Sequence, residues 1–243
     1  MFLVTNTRFN PTTNGELHIG HAYMALVNQG EARRGKGKFI VRFEDNNRDW
    51  LWRVAHDKQM EYAQGMIDDL AWLGVIADEY QYQSQMEERI HESLLFLNGG
   101  ELKEEYRIKF EGLTPNVPYL NYAVATYNPH LTAERVIADA LSEISYVIRG
   151  EDLITEYALY YNFCDRWGIP RPEHAYLARL TMADGADMLP QISKTTGNNK
   201  IKSFRESGMK ADELLEKLRK ACLKNPDGEW IISNLKARPV WNG

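Results

Sequence analysis

The segment that decides the fold is Asn10-Pro11-Thr12-Thr13-Asn14-Gly15-Glu16-Leu17-His18-Ile19-Gly20-His21. It follows the short apolar run Phe2-Leu3-Val4 and precedes a stretch compatible with a helix, which indicates a turn from a strand into a helix. Asn14 and Gly15 tolerate the positive φ that a tight turn can require. The helix would begin near Leu17, and its first N–H groups would point outward and attract phosphate. We therefore predict a phosphate-binding turn.

Two histidines mark the start of this predicted helix. His18 and His21 are three residues apart and share one helical face. Gly20 has no side chain, so a flat ring could rest on the backbone there. The pattern predicts a nucleotide site that uses imidazoles in place of a P-loop lysine. Taken alone, however, the tetrad is better explained by two surface histidines on a helix.

Other segments support the nucleotide site because of their order along the chain. Thr7-Arg8-Phe9 comes first, and the others are Phe39-Ile40-Val41-Arg42-Phe43-Glu44-Asp45, Tyr82-Gln83-Ser84, Val147-Ile148-Arg149-Gly150-Glu151-Asp152 and Gln191-Ile192-Ser193-Lys194-Thr195. Together with His-Ile-Gly-His, this set resembles the catalytic core of class I aminoacyl-tRNA synthetases of the glutamyl/glutaminyl subgroup. The resemblance extends over residues 3 to 215 and is closest to truncated glutamyl-tRNA synthetase-like enzymes.

The composition is that of a globular chain. Its 243 residues are 44% hydrophobic and 26% charged, which suffices for one large core or two smaller lobes. No segment approaches the about 20 apolar residues of a membrane span. The N-terminus also lacks the features of a signal peptide. We therefore expect a cytoplasmic protein that does not bind membranes, and the resemblance leads us to expect a monomer.

The net charge of −5 argues against a protein that coats DNA with a basic face. Local basic patches could still dock a tRNA, and the candidates are 33–38, 200–205 and 217–220 with Lys224, Lys236 and Arg238. Each patch alone is better explained as a solvated face. The only cysteines, Cys164 and Cys222, provide neither a disulfide framework nor a cysteine-ligated zinc site. We expect no zinc and no protein-bound metal, with Mg²⁺ arriving together with ATP.

The hydrophobic pattern alternates strands and helices, which predicts an α/β fold. Strands are expected at 1–9, 38–43, 145–149 and 176–182, and helices at 17–34, 53–73, 85–98, 131–144, 153–167 and 211–222. Tyr106–Phe110 alternates like a strand in a hairpin, and 183–187 indicates a turn. The resemblance implies a Rossmann-type (HUP-like) parallel sheet with helices on both faces.

The same pattern suggests four regions. They are the first half of the catalytic domain (1–98), a short connective insert (99–130), the second half with the lysine loop (131–199) and a small helical C-terminal piece without an anticodon-binding domain (200–243). In the family a longer domain that binds the acceptor stem occupies the place of the insert.

The resemblance implies how ATP is handled. His18, His21 and Lys194 would be catalytic, stabilising the charge that develops on the phosphates. The other expected ATP contacts are Gly15, Gly20, Glu151, Ile192 and Ser193. The lysine loop departs from the family pattern at its first lysine, where this chain has Gln191.

An acidic amino acid calls for guanidinium groups, which pair with carboxylates through two hydrogen bonds. The resemblance places Arg8 and Arg149 at the side-chain carboxylate of glutamate, Glu44 at its α-ammonium, and Asn10 and Thr12 as further hydrogen-bonding groups. The alternative is an interior ion-pair network, in which Arg149 pairs with Glu151 or Asp152 and Arg42 with Glu44 or Asp45. Because glutaminyl enzymes do not keep an arginine at the place of Arg149, glutamate is preferred over glutamine.

The resulting hypothesis is a ligase that converts L-glutamate and ATP to glutamyl-adenylate and transfers the glutamyl group to the acceptor end or a modified base of a tRNA. Two alternatives remain open. One is a small nucleotidyltransferase with a His-x-Gly-His tetrad. The other is a non-catalytic paralogue that binds an amino acid or tRNA.

Overall fold

The computed structural model describes residues 4–46, 54–97, 129–150, 153–154, 156–177 and 199–221. Five strands form one sheet: β1 (Thr5–Phe9), β2 (Lys36–Phe43), β3 (Glu79–Tyr82), β4 (Tyr146–Gly150) and β5 (Glu173–Leu177). All neighbouring strands are parallel, and their order is β3-β2-β1-β4-β5. This arrangement confirms the predicted α/β fold with a parallel Rossmann-type sheet.

Helices connect and cover these strands. They are α1 (Ile19–Arg34), α2 (His56–Trp72), α3 (Glu87–Leu97), α4 (Pro129–Leu141), α5 (Glu156–Trp167), α6 (Ile201–Glu206) and α7 (Ala211–Ala221), with a 3₁₀ turn at Gln83–Met86 before α3. Within the described part of the chain, no helix combines the length and apolar character needed to cross a membrane.

The two faces of the sheet carry different helices. Phe39, Val41 and Phe43 of β2 pack into a large core with residues of α1, α2, α6 and α7. A second core joins α3, α4 and α5. Because side chains alternate along a strand, Arg42 points to the face opposite that of Phe43.

α1 runs against the centre of the sheet and is buried over most of its circumference. It ends at Gly35, as the sequence predicted. Close approach of β1 and β2 explains the glycine at position 37, where a Cβ would lie 2.2 Å from the Thr5 carbonyl oxygen. A side chain at this position would push the two strands apart.

Most predicted elements are confirmed, with small shifts at their ends. β5 begins at Glu173 and not at Tyr176. β3 and α6 were not predicted as elements; β3 is a short strand at the edge of the sheet whose first two residues are exposed, so it lacks an apolar signal. The predicted hairpin at 106–110 and the turn at 183–187 lie outside the described residues, and the division into four regions stays a prediction.

The order in which strands are added to the sheet reverses at β1. β2 lies on one side of β1 and β4 on the other, so the connections to these two strands leave in opposite directions. In open parallel sheets this arrangement creates a crevice beyond the carboxyl ends of the two strands. The end of β1 carries Arg8, and the end of β4 carries Arg149.

A buried carboxylate links this part of the sheet to α4. Asp139 accepts hydrogen bonds from Arg8 Nε and Nη2 at 3.1 Å each and from Arg42 Nη1 at 2.7 Å. Tyr160 of α5 adds a bond of 3.0 Å from its hydroxyl. The Arg8, Arg42 and Asp139 side chains are at most 2% exposed. Burial would raise the pKa of Asp139, but the two guanidinium groups hold it well below its usual range.

This cluster yields a stability prediction. Asp139→Asn leaves two buried guanidinium groups without a compensating charge, so the free energy of unfolding should fall by about 3–5 kcal/mol. Urea denaturation measures the change. Asp165→Asn is a matched control because it removes an exposed ion pair with Arg171, which should cost about 1 kcal/mol or less. Equal losses in the two variants would contradict a structural role for Asp139.

Candidate active site

A cavity of about 890 Å³ lies beyond the carboxyl ends of β1 and β4. Its described lining contains eight of the residues that the sequence singled out: Arg8, Asn10, Thr12, Gly15, His18, His21, Glu44 and Arg149. The structure thus brings together residues that are far apart in the chain. Glu151, Ile192, Ser193 and Lys194 lie outside the described residues.

The segment between β1 and α1 is held against the end of β2. The Glu44 N–H donates to the Pro11 carbonyl at 2.9 Å, and Thr12 and Glu44 form a parallel bridge. Neither Asn14 nor Gly15 adopts a positive φ, so the expectation about these residues is wrong. Backbone pairing with β2, and not a left-handed turn, shapes this segment.

His18 and His21 form a compact stacked pair. Their ring centroids are 3.7 Å apart, with planes inclined by 19°. The His21 N–H donates to His18 Nδ1 at 3.3 Å, and the His18 N–H donates to His21 Nδ1 at 3.4 Å, so His18 is the N-cap of α1. Because both Nδ1 atoms accept, this network assigns the proton of each neutral ring to Nε2. Each ring can therefore donate from Nε2.

The start of α1 also has a backbone partner. The Ile19 N–H donates to the Asn199 carbonyl at 3.0 Å, and the Ile201 N–H donates to the Leu17 carbonyl at 2.9 Å. The expectation that the first N–H groups point outward is therefore wrong for Ile19 and His21. In this geometry the imidazoles, and not those two backbone amides, are the donors suited to a phosphate.

Gly20 has a packing role beside the histidines. A Cβ at this position would lie 3.0 Å from His18 Cε1 and 3.1 Å from His18 Nδ1. That approach is closer than ordinary van der Waals contact, so any larger residue would displace the ring that caps α1. The lack of a side chain at residue 20 thus preserves the stacked pair.

Four charged side chains form a second ion-pair network, and three of them, Glu44, Arg135 and Arg149, line the same cavity as the histidines. Arg149 Nη1 donates to Glu156 Oε2, and Arg135 Nη1 donates to Glu156 Oε1 at 2.8 Å. Arg135 also reaches Glu44 through Nε at 2.9 Å and Nη2 at 3.1 Å. Burial would raise the pKa of Glu156, but Arg149 and Arg135 lower it to about 2. Glu156 is therefore a carboxylate at neutral pH.

The observed ion pairs change the interpretation of two arginines. Arg42 pairs with Asp139, and not with Glu44 or Asp45 as the alternative interpretation expected. Arg8, expected at the substrate carboxylate, already uses Nε and Nη2 on Asp139. The ion-pair alternative is thus right that Arg42 lies in an interior ion pair and wrong about its partner, whereas Glu151 and Asp152, the partners expected for Arg149, lie outside the described residues.

Arg149 keeps nitrogens available on the cavity wall. It uses Nη1 on Glu156, and within the described part of the chain its Nε and Nη2 make no hydrogen bond. A guanidinium with two unused donor nitrogens can bind a carboxylate. Among the predicted substrate-binding arginines, Arg149 therefore has the better geometry for that role.

Asn10 offers a second group for a ligand. Its side-chain oxygen and nitrogen are both buried, and neither has a hydrogen-bond partner among the residues that the structure describes. Buried polar atoms normally find partners, so an unpaired amide on a cavity wall fits a ligand contact. Thr12, predicted alongside it, lies with Oγ1 at 3.5 Å from Glu44 Oε2.

Sequence reasoning missed Arg135, Asp139 and Glu156. The signal was nevertheless present in α4, where Thr132, Arg135 and Asp139 follow one another at spacings of three and four residues. That spacing places them on one face of a helix. Charged residues on a face that also carries Val136 predict a buried polar network. The spacing does not predict which residues they contact.

The described residues contain no group of three or more His, Cys, Asp or Glu side chains that could hold a metal ion. The cavity wall is instead rich in cations, namely Arg8, Lys58, Arg135, Arg149 and Lys200. A lining of this kind suits anionic ligands. Arrival of Mg²⁺ together with ATP stays a prediction.

Comparison with known proteins agrees with this fold. Residues 4–97 match the family described as tRNA synthetases class I (E and Q), catalytic domain. By structure, the chain is similar to a glutamate-tRNA synthetase from Elizabethkingia anophelis, with a TM-score of 0.60 and 17% identity over 93% of this chain and 63% of that one. Residues 4–97 are therefore similar to the catalytic domain of class I tRNA synthetases, and the fold is similar to that of a glutamate-tRNA synthetase.

Sequence relatives narrow the group. Glutamate--tRNA ligase 1 of Rubrobacter xylanophilus is 27% identical over 94% of this chain and 56% of its own length. Glutamate--tRNA ligase 1 of Paracoccus denitrificans is 25% identical, over 92% and 62%. The chain is thus related to the glutamate--tRNA ligases, and it spans between a half and two thirds of the length of these two relatives.

The two nitrogens of His18 can be tested separately. His18→Asn keeps an acceptor near the position of Nδ1, so the N-cap and the free energy of unfolding should be retained within about 0.5 kcal/mol. It removes the Nε2 donor, so ATP affinity should fall about tenfold. Urea denaturation and titration calorimetry with ATP measure the two effects.

His18→Ala is the companion variant. It removes the cap as well as the donor and should lose about 1 kcal/mol of stability in addition to affinity. If His18→Asn binds ATP as tightly as the wild type, Nε2 is not a nucleotide contact.

Proposed function

We propose that this protein activates L-glutamate with ATP and transfers the glutamyl group to a tRNA. The observation that carries the proposal is a single cavity with the stacked His18–His21 pair on one wall and Arg149 on another. It lies at the switch point of a parallel sheet, where such folds bind their ligands. The family match over residues 4–97 supports the same chemistry.

Activation joins a carboxylate to a phosphate. An oxygen of the α-carboxylate of glutamate attacks the α-phosphorus of ATP, and the bond to the departing pyrophosphate breaks. Negative charge grows on the phosphate oxygens during this step, and donors already in place stabilise it. The Nε2–H groups of His18 and His21 are such donors, because both rings are already held in place at the start of α1.

Lys194 is proposed to assist at the outer phosphates. It lies outside the described residues, but the described chain resumes five residues later at Asn199, which is hydrogen-bonded to the first residue of α1. The proposed role of Lys194 rests on the family resemblance of the segment from Gln191 to Thr195. Mg²⁺ bound with ATP would neutralise further phosphate charge.

Arg149 is proposed to recognise the side-chain carboxylate of glutamate. Its Nε and Nη2 groups are the donors for this contact, and Asn10 adds an amide with two unpaired buried atoms. A neutral amide would present an NH₂ donor to these donors in place of one of the two accepting carboxylate oxygens. The site should therefore prefer glutamate to glutamine.

The acceptor is proposed to be a tRNA, either at its 3′ end or at a modified base. The names of the relatives supply this part of the proposal. Several basic residues expected to contact RNA are already engaged, since Lys200 and Lys202 pair with Glu16. Binding of whole tRNA should consequently rest on few phosphate contacts.

A non-catalytic binding protein is the second candidate. It gains support from Arg8 and Glu44, which were expected to hold the substrate and are instead paired with Asp139 and Arg135. Such a protein would bind glutamate or tRNA and form no adenylate. The small nucleotidyltransferase gains no comparable support.

Exchange of labelled pyrophosphate into ATP tests the proposed function. We expect exchange that depends on L-glutamate in a screen of the 20 common amino acids, run with and without bulk tRNA. Exchange should be absent without an amino acid, because the reverse reaction requires a bound adenylate. Binding of glutamate with no exchange under either condition would favour the non-catalytic candidate.

Lysine variants provide the control for this assay. Lys194→Ala should lower the exchange rate by about 10²-fold, because one cation is lost from the developing phosphate charge. Lys217→Ala removes a lysine that pairs with Glu213 on α7 and should leave the rate unchanged. Equal exchange rates in both variants would show that Lys194 does not take part in the activation step.

Selection of the carboxylate can be tested at Arg149. Arg149→Ala should reduce the preference for glutamate over glutamine by at least about tenfold, because the charge that rewards the carboxylate is removed. The ratio of kcat/KM for the two amino acids in the exchange assay measures it. Arg171→Ala, at an exposed ion pair with Asp165, should not alter the ratio. A variant at residue 149 that still rejects glutamine would place selection elsewhere.

A further inference from the structure

The cavity has an uneven distribution of charge. Its described lining contains five lysine or arginine side chains and only two carboxylates, Glu16 and Glu44. Glu16 is already paired with Lys200 at 2.7 Å and with Lys202 at 3.4 Å. Within the described lining, Glu44 is therefore the one carboxylate that is not paired with a lysine.

Glu44 is itself engaged through both oxygens. Arg135 donates to Oε1 at 2.9 Å and to Oε2 at 3.1 Å, the two-point geometry of a strong guanidinium–carboxylate pair. The two side chains are only 11% and 16% exposed, so water screens the pair weakly. Glu44 therefore offers a ligand little uncompensated negative charge.

Arg135 is also held by a second carboxylate, that of Glu156. Its third nitrogen, Nη1, donates to Glu156 at 2.8 Å, and Glu156 accepts from Thr132 Oγ1 at 2.7 Å. Moving Arg135 away from Glu44 would disturb this buried network as well. An ammonium group that approached Glu44 would meet a guanidinium already in place, and the two cations would repel each other.

We propose that Arg135 occupies the place of a substrate ammonium at Glu44, so that this cavity recognises a dicarboxylic acid whether or not it carries an α-ammonium. The proposal deepens the proposed function, on which it rests for the identity of the activated acid. Arg149 then holds one carboxylate, and the other is the carboxylate activated by ATP, whose phosphates are assigned to the His18–His21 pair. The substrate class widens from an acidic amino acid to C5 dicarboxylic acids.

Ligand binding to the unmodified protein tests this without any substitution. In titration calorimetry without ATP, so that no adenylate can form, glutarate, which lacks the ammonium, should bind within about threefold of glutamate. 4-Aminobutyrate keeps an ammonium but has one carboxylate, and it should bind at least about tenfold more weakly. A preference of about 30-fold or more for glutamate over glutarate would overturn the proposal.

Substitution of Arg135 should reverse the selectivity. Arg135→Gln releases the charge of Glu44, so affinity for glutamate relative to glutarate should rise about tenfold. Arg171→Gln is the matched control and should leave the ratio as in the wild type. Circular dichroism and urea denaturation establish that each variant is folded. A folded Arg135→Gln protein with an unchanged ratio would also overturn the proposal.

The binding assay tests the role of Arg135 and the exchange assay tests the proposed activation, so either claim can be contradicted without the other. If glutarate and glutamate bind alike but no pyrophosphate exchange occurs, the proposed activation is wrong and the substrate class stands. If exchange depends on glutamate and glutarate neither binds nor is activated, the activation stands and the role of Arg135 is wrong. If no dicarboxylate binds, the inference about Arg135 is wrong whatever the exchange assay shows.

Discussion

The carboxylate of Asp139 is the interaction on which the site depends. β1 and β2 each carry an arginine on the same face of the sheet, and two buried guanidinium groups side by side would repel each other. Asp139 resolves this conflict by accepting from both Arg8 and Arg42. It belongs to α4, so the helix must dock where the two strands meet. Burial of the arginines therefore fixes the position of α4 on the sheet.

Docking of α4 in turn builds one wall of the cavity. Arg135 lies one helical turn before Asp139, on the same face of α4, and it reaches Glu44 at the end of β2 and Glu156 at the start of α5. The two networks are linked through α4, which carries both Arg135 and Asp139. A change that displaced Asp139 would therefore also displace Arg135 on the same helix and alter its ion pair with Glu44, which lines the cavity.

Sequence reasoning succeeded where the signal was local. The strand before Asn10, the helix that ends at Gly35 and the parallel sheet all follow from apolar spacing and from turn residues nearby in the chain. The ion-pair partners could not be predicted in the same way, because Arg8 and Asp139 are separated by 131 positions. Which carboxylate meets which arginine depends on how α4 lies on the sheet. The family resemblance indicated the cavity residues, but not that Arg8 and Glu44 would already be paired.

The paired charges determine how the cavity can respond to an anion. Both carboxylates in the described lining, Glu16 and Glu44, are paired with a lysine or an arginine, and cations outnumber carboxylates in that lining. The five lining cations are each in an ion pair already, so a bound polyanion must use donor groups that those pairs leave unused. Arg149 can accept such a ligand through Nε and Nη2 while Nη1 remains on Glu156, since a guanidinium has separate donor edges. The interior network thus holds the arginine in orientation, and its outer edge remains available for recognition.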